Sequence, residues 1–541
     1  MRLPSVVSSA ASYVGGLARR GLTAMGSSRP YEAASHTSAE LGDWHATLGS
    51  ADSDYLYDRD TIVARTRDLI RNSGWAAGAV TRHLDNVIGS GFRLSYKPDY
   101  VALGQTEEWA HEFEKEVEGR WRLYAEDPDN YIDAARQCNF NGLLGLAYRH
   151  DVSDGEALAA ALWLDGKPHG RYATTIQIID PDRLSNPNKS YDTEFMRSGI
   201  EINEHGAPVA YHIQAGHPAD IHLGARTWAW ERVPRETPWG RQRIIHTYER
   251  ERAGQTRGVS LFAPILERLK MIDKYDKTEL QAAVVNAIFA AYIVSPFDHQ
   301  MIEEMMDDDK LGKYQDGRKD FHDKRKTALS TGTRIPTLYP GEDIKTVSAS
   351  RPSNQFGAFE RACLRNIASA VGLSYEQLSQ DWSSTNYSSA RAALLEVWRH
   401  LSRKRDRFAA QFATPIFALW FEEAVSRGDI VLPDDAPDFY TGKAAWLKCK
   451  WIGGGRGWVD PTKEAAAVQM RLDMGVSTLE DECAEQGRDW RETLAQRAVE
   501  LAEMDRLGLP RPAWAAKVVI KVDESDDEET EDKEERTAAH G

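Results

Sequence analysis

The segment SLFAPILERLKMIDKYDKTELQAAVVNAIFAAYIV, residues 260–294, decides the fold prediction for this chain. Apolar side chains recur along it at intervals of three and four residues, the spacing that places them on one face of an α-helix. Ser260 is suited to cap the first turn and Pro264 to begin it. The pattern therefore predicts one long helix over residues 260–294, about 50 Å in length. Its second half is apolar nearly all round, so we expect that half to pack between neighbours.

The composition is typical of a globular protein with several folded units. The chain has 541 residues, of which 41% are apolar and 28% are charged, and a single hydrophobic core stops growing at roughly 250 to 300 residues. The longest apolar run, from Leu280 to Val294, contains Asn286 and is shorter than the roughly 18 residues needed to span a bilayer. We therefore expect two to four folded units and no membrane contact.

The charge balance argues against a protein that grips nucleic acid tightly. The formal net charge is -16, whereas tight binding to phosphates requires a basic surface that displaces counterions. Half of this charge is local, because ten acidic residues between 522 and 541 face only Lys533 and Arg536. We therefore expect residues 511–541 to form an acidic disordered tail. We expect residues 1–57, which are rich in Ser, Ala and Gly, to form a flexible N-terminal arm.

Helices and strands are predicted in separate stretches along the chain, which indicates an α+β fold. Helical spacing covers residues 59–88 and about 106–124, and short alternating segments between 150 and 250 indicate strands. The turn sequence HGAP at 205–208 predicts a hairpin through Ile200 and Val209. Further helices are expected over about 353–371, over about 388–427 with an interruption only at Pro415, and from Asp460-Pro461 to about Leu507.

Catalytic motifs are mostly absent from the sequence. No GxxxxGK[ST], HExxH or GxSxG is present, and the four cysteines form no CxxC pair. The acidic run at 298–309 could gather Mg²⁺ or Ca²⁺, but helical spacing spreads its carboxylates around the axis, which favours a solvated charged surface. The sequence therefore predicts no catalytic residue, no metal and no cofactor.

One basic cluster leaves two interpretations open. Spacing of three and four residues on a helix places several of its cationic side chains on one face, where they could follow phosphates or form salt bridges between subunits. The cluster consists of Arg399, Arg403, Lys404, Arg405 and Arg407.

Five separated blocks of the sequence closely resemble the lambda-type portal proteins of tailed bacteriophages. They are RDLIRNSGWAAGAVTRHLDNVIGSGFRL (67–94), PDRLSNPN (181–188), GIEINEHGAPVAYHI (199–213), GQTRGVSLFAPILERLKMIDKYDKTELQAAVVNAIFA (254–290) and GLSYEQLSQDWSSTNYSSARAALLEVWR (372–399). They follow the order found in that family.

The resemblance implies a portal-protein fold with named parts. It assigns long stem and tunnel helices, an α/β wing, a small α/β clip and a helical crown. The implied boundaries are 58–257 for the wing, 258–294 for the stem helix, 295–350 for the clip, 351–373 for the second stem helix, 374–388 for the tunnel loop, 389–455 for the long helix and wing return, and 456–510 for the crown.

The resemblance also implies a function without catalysis. Such proteins form a ring, usually of about twelve subunits, at one capsid vertex of the virion, through which double-stranded DNA is packaged and ejected. The implied partners are the terminase large subunit, the major capsid and scaffold proteins and the head-tail adaptor proteins, and assembly takes place in the host cytoplasm. A separate ATPase motor is consistent with the absence of a phosphate-binding loop in this chain.

Two sets of residues follow from this assignment. The DNA-facing part of the tunnel loop comprises Asp381, Trp382, Ser383, Ser384, Thr385, Asn386 and Tyr387. The motor- and adaptor-docking surface of the clip comprises Lys310, Lys313, Arg318, Lys319, Lys324, Arg325, Lys326 and Arg334. We expect relatives often to carry a lysine at the position of Ser384, so a charged contact with DNA at that point is in doubt here. The aromatic side chains of the loop could instead anchor it at a subunit interface.

Two rival functions need separate tests. A nuclease or other hydrolase would have the acidic run at 298–309 as its candidate site, and metal-dependent DNA cleavage by the pure protein would establish it. A scaffold or adaptor would bind capsid proteins through the wing without forming a ring with a central hole.

Overall fold

The computed structural model describes residues 31–35, 38–166, 170–288, 292–294, 308–324, 327–328, 334–335, 343–345, 356–383, 386–455 and 461–515. Within them the chain forms α1 (Ala51–Tyr55), α2 (Arg59–Asn72), α3 (Gly74–Val87), α4 (Glu107–Ala125), α5 (Phe140–Ser153), α6 (Leu266–Ile288), α7 (Asp308–Lys324), α8 (Phe356–Val371), α9 (Tyr375–Ser379), α10 (Tyr387–Phe408), α11 (Thr414–Ser426), α12 (Lys443–Trp446), α13 (Pro461–Asp473), α14 (Leu479–Glu485) and α15 (Trp490–Leu507). Among these helices, none is both long enough and apolar enough to cross a membrane.

The strands form small antiparallel sheets. They are β1 (Arg93–Tyr96), β2 (Glu156–Trp163), β3 (Thr174–Ile179), β4 (Met196–Arg197), β5 (Ile200–Ile202), β6 (Pro208–Gln214), β7 (Trp230–Pro234), β8 (Ile244–Tyr248), β9 (Tyr292–Val294), β10 (Thr327–Ala328), β11 (Arg334–Ile335), β12 (Asp343–Lys345) and β13 (Cys449–Ile452). One sheet has the order β3-β2-β8 and another β4-β5-β6-β7, while β1 pairs with β13, β9 with β12, and β10 with β11. The mixture of helices and sheets agrees with the predicted α+β class, and β5 and β6 form the predicted hairpin.

A small unit of the chain comprises residues up to Tyr57 together with residues 251–255. In it the Ser50 side chain caps α1 by accepting a hydrogen bond from Ser53 N, and Arg252 donates to Gly49 O at 2.7 Å. Folded structure therefore begins before residue 58, earlier than the low periodicity of the sequence predicted. The larger unit contains residues 58–250 and 256–541.

The core of the larger unit is aromatic and joins distant parts of the sequence. Trp121 of α4 lies 5.5 Å from Phe417 and 5.3 Å from Trp420 between ring centroids, and both α11 rings are fully buried. Strand β13 pairs with β1 beside this core, with Ile452 opposite Arg93. The segment after residue 414 therefore completes a core that residues 93–125 begin.

A buried group of charges lies at the centre of the β3-β2-β8 sheet. The Glu156 carboxylate at the start of β2 accepts hydrogen bonds from Arg59, Arg257 and His246, all of them nearly inaccessible to solvent. Burial alone would raise the pKa of Glu156, but the charges of Arg257 and Arg59 hold it well below its ordinary value. One carboxylate thus ties α2, β8 and the segment that leads into α6 to the same strand.

The C-terminal helices α13–α15 are attached in a different way. Among the described residues, none beyond 460 belongs to the main hydrophobic core, and α15 has no buried side chain. Ion pairs connect α14 and α15 to β1, α4 and the turn after β1: Lys97 Nζ lies 2.5 Å from Glu480, Arg93 lies 2.7 Å from Glu492, and Arg491 pairs with Glu114. Arg471 of α13 lies 2.6 Å from Glu482 of α14. This part of the chain is therefore held by charge more than by apolar burial.

The structure corrects the predicted helix over residues 59–88. The helix is broken at Ser73, whose backbone is extended at φ -112° and ψ 123°, and its hydroxyl donates to Asp273 at 3.0 Å. Asn, Ser and Gly at 72–74 have low helix propensity, which the apolar spacing on either side concealed.

The first long helix is shorter at both ends than residues 260–294. The Ser260 hydroxyl accepts from Phe262 N in a tight turn, and α6 itself runs from Leu266 to Ile288. Tyr292–Val294 form a strand paired with Asp343–Lys345, which fits the strand propensity of aromatic and β-branched residues. The second long helix is present as α10 and α11, which are joined through a π-helical turn at Ala409–Ala413. This turn ends two residues before Pro415, whose missing N–H breaks the regular hydrogen-bond ladder.

Candidate nucleic-acid interface

The predicted tunnel loop begins at the C-terminus of α8. Gly372 follows this helix at φ +71°, and His83 of α3 lies 2.8 Å through Nε2 from the Val371 carbonyl. His83 Nδ1 lies 3.4 Å from the Tyr148 hydroxyl, so a neutral ring that donates through Nε2 and accepts through Nδ1 satisfies both contacts. Burial lowers the pKa of His83 to about 3, and Lys404 and His400 act in the same direction. A neutral histidine thus fixes the end of α8.

Residues 374–388 include a short helix, although the sequence predicted a loop throughout. The helix α9 lies within them, and it starts with a capping box in which Ser374 and Gln377 each bond the other's backbone amide. Gln380 then takes the left-handed conformation at φ 58° and ends α9. The segment that connects the helices is therefore residues 381–386, before α10 begins.

The side chains of this segment make short-range hydrogen bonds. The Asp381 carboxylate accepts from the Ser383 hydroxyl at 2.6 Å and from the Ser383 amide at 3.1 Å, and Trp382 is 41% exposed. Asn386 caps α10 by accepting from Ser389 N at 2.9 Å. Ser384, Thr385 and the side chain of Tyr387 lie outside the described part of the chain.

The capped helix ends leave the side chains of the segment able to project and contact another molecule. Caps on both sides satisfy the helix ends, so the hydroxyls and the indole of the segment are not needed for them. Whether Trp382 contacts DNA or a neighbouring subunit stays a prediction.

Most cations of the basic cluster in α10 form ion pairs or hydrogen bonds within the same chain. Lys404 lies 3.1 Å from Glu249, Arg405 donates to the Val87 carbonyl at 3.0 Å, and Arg407 pairs with Asp151. Arg403 lies 2.9 Å from Glu249 but remains 65% exposed, and Arg399 is exposed with no ion pair to a described residue. The cluster therefore does not form one free cationic face, and the proposed contacts with phosphate or a second subunit remain predictions, best suited to Arg399 and Arg403.

The predicted docking surface of the clip is described in part. Lys313 and Lys319 are exposed on α7 and Arg318 is half-buried. Lys310 and Lys324 lie in α7 and Arg334 in β11, but their side chains are outside the description, as are Arg325 and Lys326 entirely. Several of these cations thus lie on one helix, and their role in docking a motor or adaptor protein stays a prediction.

Sequence reasoning missed two arginines beside the tunnel-loop segment. Arg361 and Arg365 lie on the exposed side of α8, and the guanidinium carbon of Arg365 is 5.5 Å from the ring centroid of Tyr375 in α9. Their spacing of four residues, just before the loop, is the signal that could have identified them.

One group of side chains could in principle hold a metal ion. The ligand atoms of Asp180, Asp182 and His217 lie within 4.8 Å of one another. Arg67 already lies 2.9 Å from each of these two carboxylates and 2.8 Å from Asp154, so a guanidinium supplies the positive charge. The cluster is accounted for as an ion-pair network.

Known proteins resemble this chain over most of its length. The family model described as phage portal protein, lambda family, matches residues 37–405. The portal protein of Escherichia phage N15 is 36% identical over 485 residues, which cover 88% of this chain and 90% of that protein. Portal protein B of Escherichia phage lambda is 35% identical over 490 residues, with the same two coverages.

Two more distant similarities were also found. A probable portal protein of Halomonas phage phiHAP-1 is 24% identical, with 90% of both chains covered. Among solved structures, a chain from the neck of an empty gene transfer agent particle matches with a TM-score of 0.45 at 13% identity, covering 83% of this chain and 94% of that one. The extent of the family match, together with more than one third identity to two relatives over nearly their whole length, shows that this chain belongs to the lambda family of phage portal proteins.

Proposed function

We propose that the chain is one subunit of a ring, of about twelve copies, that forms the DNA channel at a capsid vertex of a tailed phage particle. The observation that carries the proposal is the match to two portal proteins over 88% of the chain, with 90% of each relative covered. The sequence contains no GxxxxGK[ST], HExxH or GxSxG motif that would indicate catalysis instead. The protein then acts by shape and charge and performs no reaction of its own.

The placement of the helices supports a channel role. Helices α6 and α8 contact each other, with Tyr275 of α6 stacked 5.3 Å from Phe356 of α8, so the predicted stem is a packed pair. The loop between α9 and α10 follows directly from it, and Trp382 is accessible there. A ring of such pairs would present a ring of loops to DNA that passes through.

The proposed partners follow from the parts of the chain. Terminase would dock on the basic clip during packaging, head-tail adaptors would replace it afterwards, and the outer α/β region would contact capsid and scaffold proteins. Assembly would take place in the host cytoplasm. Complementary charge mainly raises association rates and selects partners, which suits sequential exchange on one surface.

Electron microscopy of the purified full chain tests the proposal most directly. We expect top views of closed rings with a central hole, and mass photometry should give a ring mass that is a multiple of the 60.7 kDa subunit. A protein that stays monomeric at all concentrations and fails to support packaging in an extract with terminase and empty capsid shells would contradict the proposal. Metal-dependent cleavage of DNA by the pure protein would instead favour the hydrolase.

A further inference from the structure

The tunnel-loop segment carries no positive charge. Residues 381–386, together with Tyr387 at the start of α10, have the sequence DWSSTNY, with one acid and no Lys or Arg. Contact with DNA depends mainly on neutralising phosphates with cationic side chains. Three members of the α10 cluster are paired or bonded inside the chain, namely Lys404, Arg405 and Arg407. Arg399 and Arg403 remain exposed, but they lie 13 or more residues along α10 from the end of the segment, so a phosphate contact directly beside the loop would draw on other cations.

Helix α8 supplies two cations in a suitable position. Its buried face contains Leu364, Ile367 and Val371, while Arg361 and Arg365 are exposed on one flank. A spacing of four residues places both side chains on the same face, about 6 Å apart along the helix axis. The two guanidinium groups therefore form a short basic stripe that runs toward the loop.

Neither arginine of the stripe is directly paired with a carboxylate in the described part of the chain. Arg361 Nε donates to the Gly357 carbonyl at 3.0 Å, and Arg365 lies over the Tyr375 ring at 5.5 Å. Neither guanidinium forms an ion pair with a carboxylate of the described residues, unlike Arg403, Lys404 and Arg407 of α10. Both therefore retain the donors that a phosphate would accept from.

The stripe and the loop share one surface. Hydrogen bonds from Ser383 lower the pKa of Asp381, and the charge of Arg361 and the nearby Tyr375 lower it further. Tyr375 in turn lies under Arg365. Arg361 thus offsets the acidic residue of the loop, and Arg365 extends positive charge along the same side.

We propose that Arg361 and Arg365 bind backbone phosphates of double-stranded DNA next to the tunnel-loop segment, and so supply the charged contact that the loop lacks. This inference rests on the proposed function, because it requires that the loop faces DNA. Two exposed arginines per subunit give contacts that are screened by salt and carry no sequence information, which suits DNA that must slide.

The experiment measures binding of purified full-chain rings to a short blunt-ended duplex DNA by fluorescence anisotropy over a range of NaCl concentrations. The variant R361A/R365A should give a shallower plot of log K against log salt, by about 0.9 for each phosphate that the arginines no longer neutralise. The variant R361K/R365K should keep the wild-type slope, because each lysine retains the charge. The control K274A/K277A removes two exposed cations from α6 and should leave the slope unchanged.

The outcomes separate the inference from the proposed function. Wild-type rings that bind DNA, combined with an unchanged slope for R361A/R365A, would overturn the inference and leave the portal assignment intact. The same holds if K274A/K277A lowers the slope equally. It holds also if R361A/R365A no longer forms rings while R361K/R365K does, since the arginines would then bind a neighbouring subunit. Failure of the wild-type chain to form rings would instead contradict the proposed function.

Discussion

Protonation of His83 should loosen the junction between α8 and the tunnel-loop segment. His83 is fully buried, with its ring between the Val371 carbonyl and the Tyr148 hydroxyl, and its pKa is about 3. An unfolded histidine titrates near 6.5. The folded state therefore binds the proton only at a lower pH than the unfolded state does. The contribution of this group to stability is present above about pH 6.5 and is lost progressively below it.

The expected size follows from these two values. Between the two pKa values, each pH unit changes the free energy of opening by about 1.4 kcal/mol. Lowering the pH from 7 to 5 should therefore reduce the free energy of opening by about 2 kcal/mol. The substitution His83→Gln keeps an amide donor for the Val371 carbonyl but removes the titration. The variant should thus lose about 2 kcal/mol less than the wild type between the two pH values.

Hydrogen exchange of the α3 amides, corrected for intrinsic rates, measures this opening without requiring two-state unfolding of the ring. The matched control is His205→Gln, because His205 is 80% exposed in a turn. Equal pH dependence in wild type and His83→Gln would refute the assignment of a buried neutral histidine at this junction.

Three further outcomes can be checked. Trp382→Ala should leave the melting temperature of the ring unchanged and alter the DNA content of particles; a lower melting temperature would identify an interface anchor instead. The clip variant K324E/R325E/K326E should form normal rings but block packaging, because it reverses the charge offered to the motor, and normal packaging would contradict the docking surface. Glu156→Gln should destabilise the protein by about 3–5 kcal/mol in urea unfolding, because it removes the negative charge that the buried guanidinium groups share; the substitution Glu503→Gln at an exposed position should not. The stabilisation by Glu156 should be constant above about pH 5 and should be lost as the pH falls toward the depressed pKa of this carboxylate.

Local patterns in the sequence predicted the elements whose signals are local. Helix α4 was predicted within one or two residues, because Thr106 caps it and its apolar spacing is regular. The hairpin of Ile200 and Val209 followed from its turn residues. The break at Ser73 was missed, because the apolar spacing on either side of it is helical.

Contacts between distant residues were not predictable. The partners of Glu156 at 59, 246 and 257 share no sequence pattern, and nothing local shows that the arginines and lysine of α10 are engaged by Glu249, Asp151 and the end of α3. The loop at 381–387 was placed between its helices by resemblance, whereas the contact of Arg365 with Tyr375 depends on how α8 and α9 pack, which no local pattern shows.

The pairing of β1 with β13 has a consequence for the synthesis of the protein. Trp121 cannot be fully covered until Phe417 and Trp420 have left the ribosome, and β1 remains an open edge until residues 449–452 arrive. Contacts so distant in sequence form slowly, and exposed apolar surface and open strand edges promote aggregation in the meantime. Nascent chains that stop short of the second half should therefore be recognised by chaperones and proteases rather than enter a ring. In a ring of the kind proposed, only complete subunits would then be incorporated.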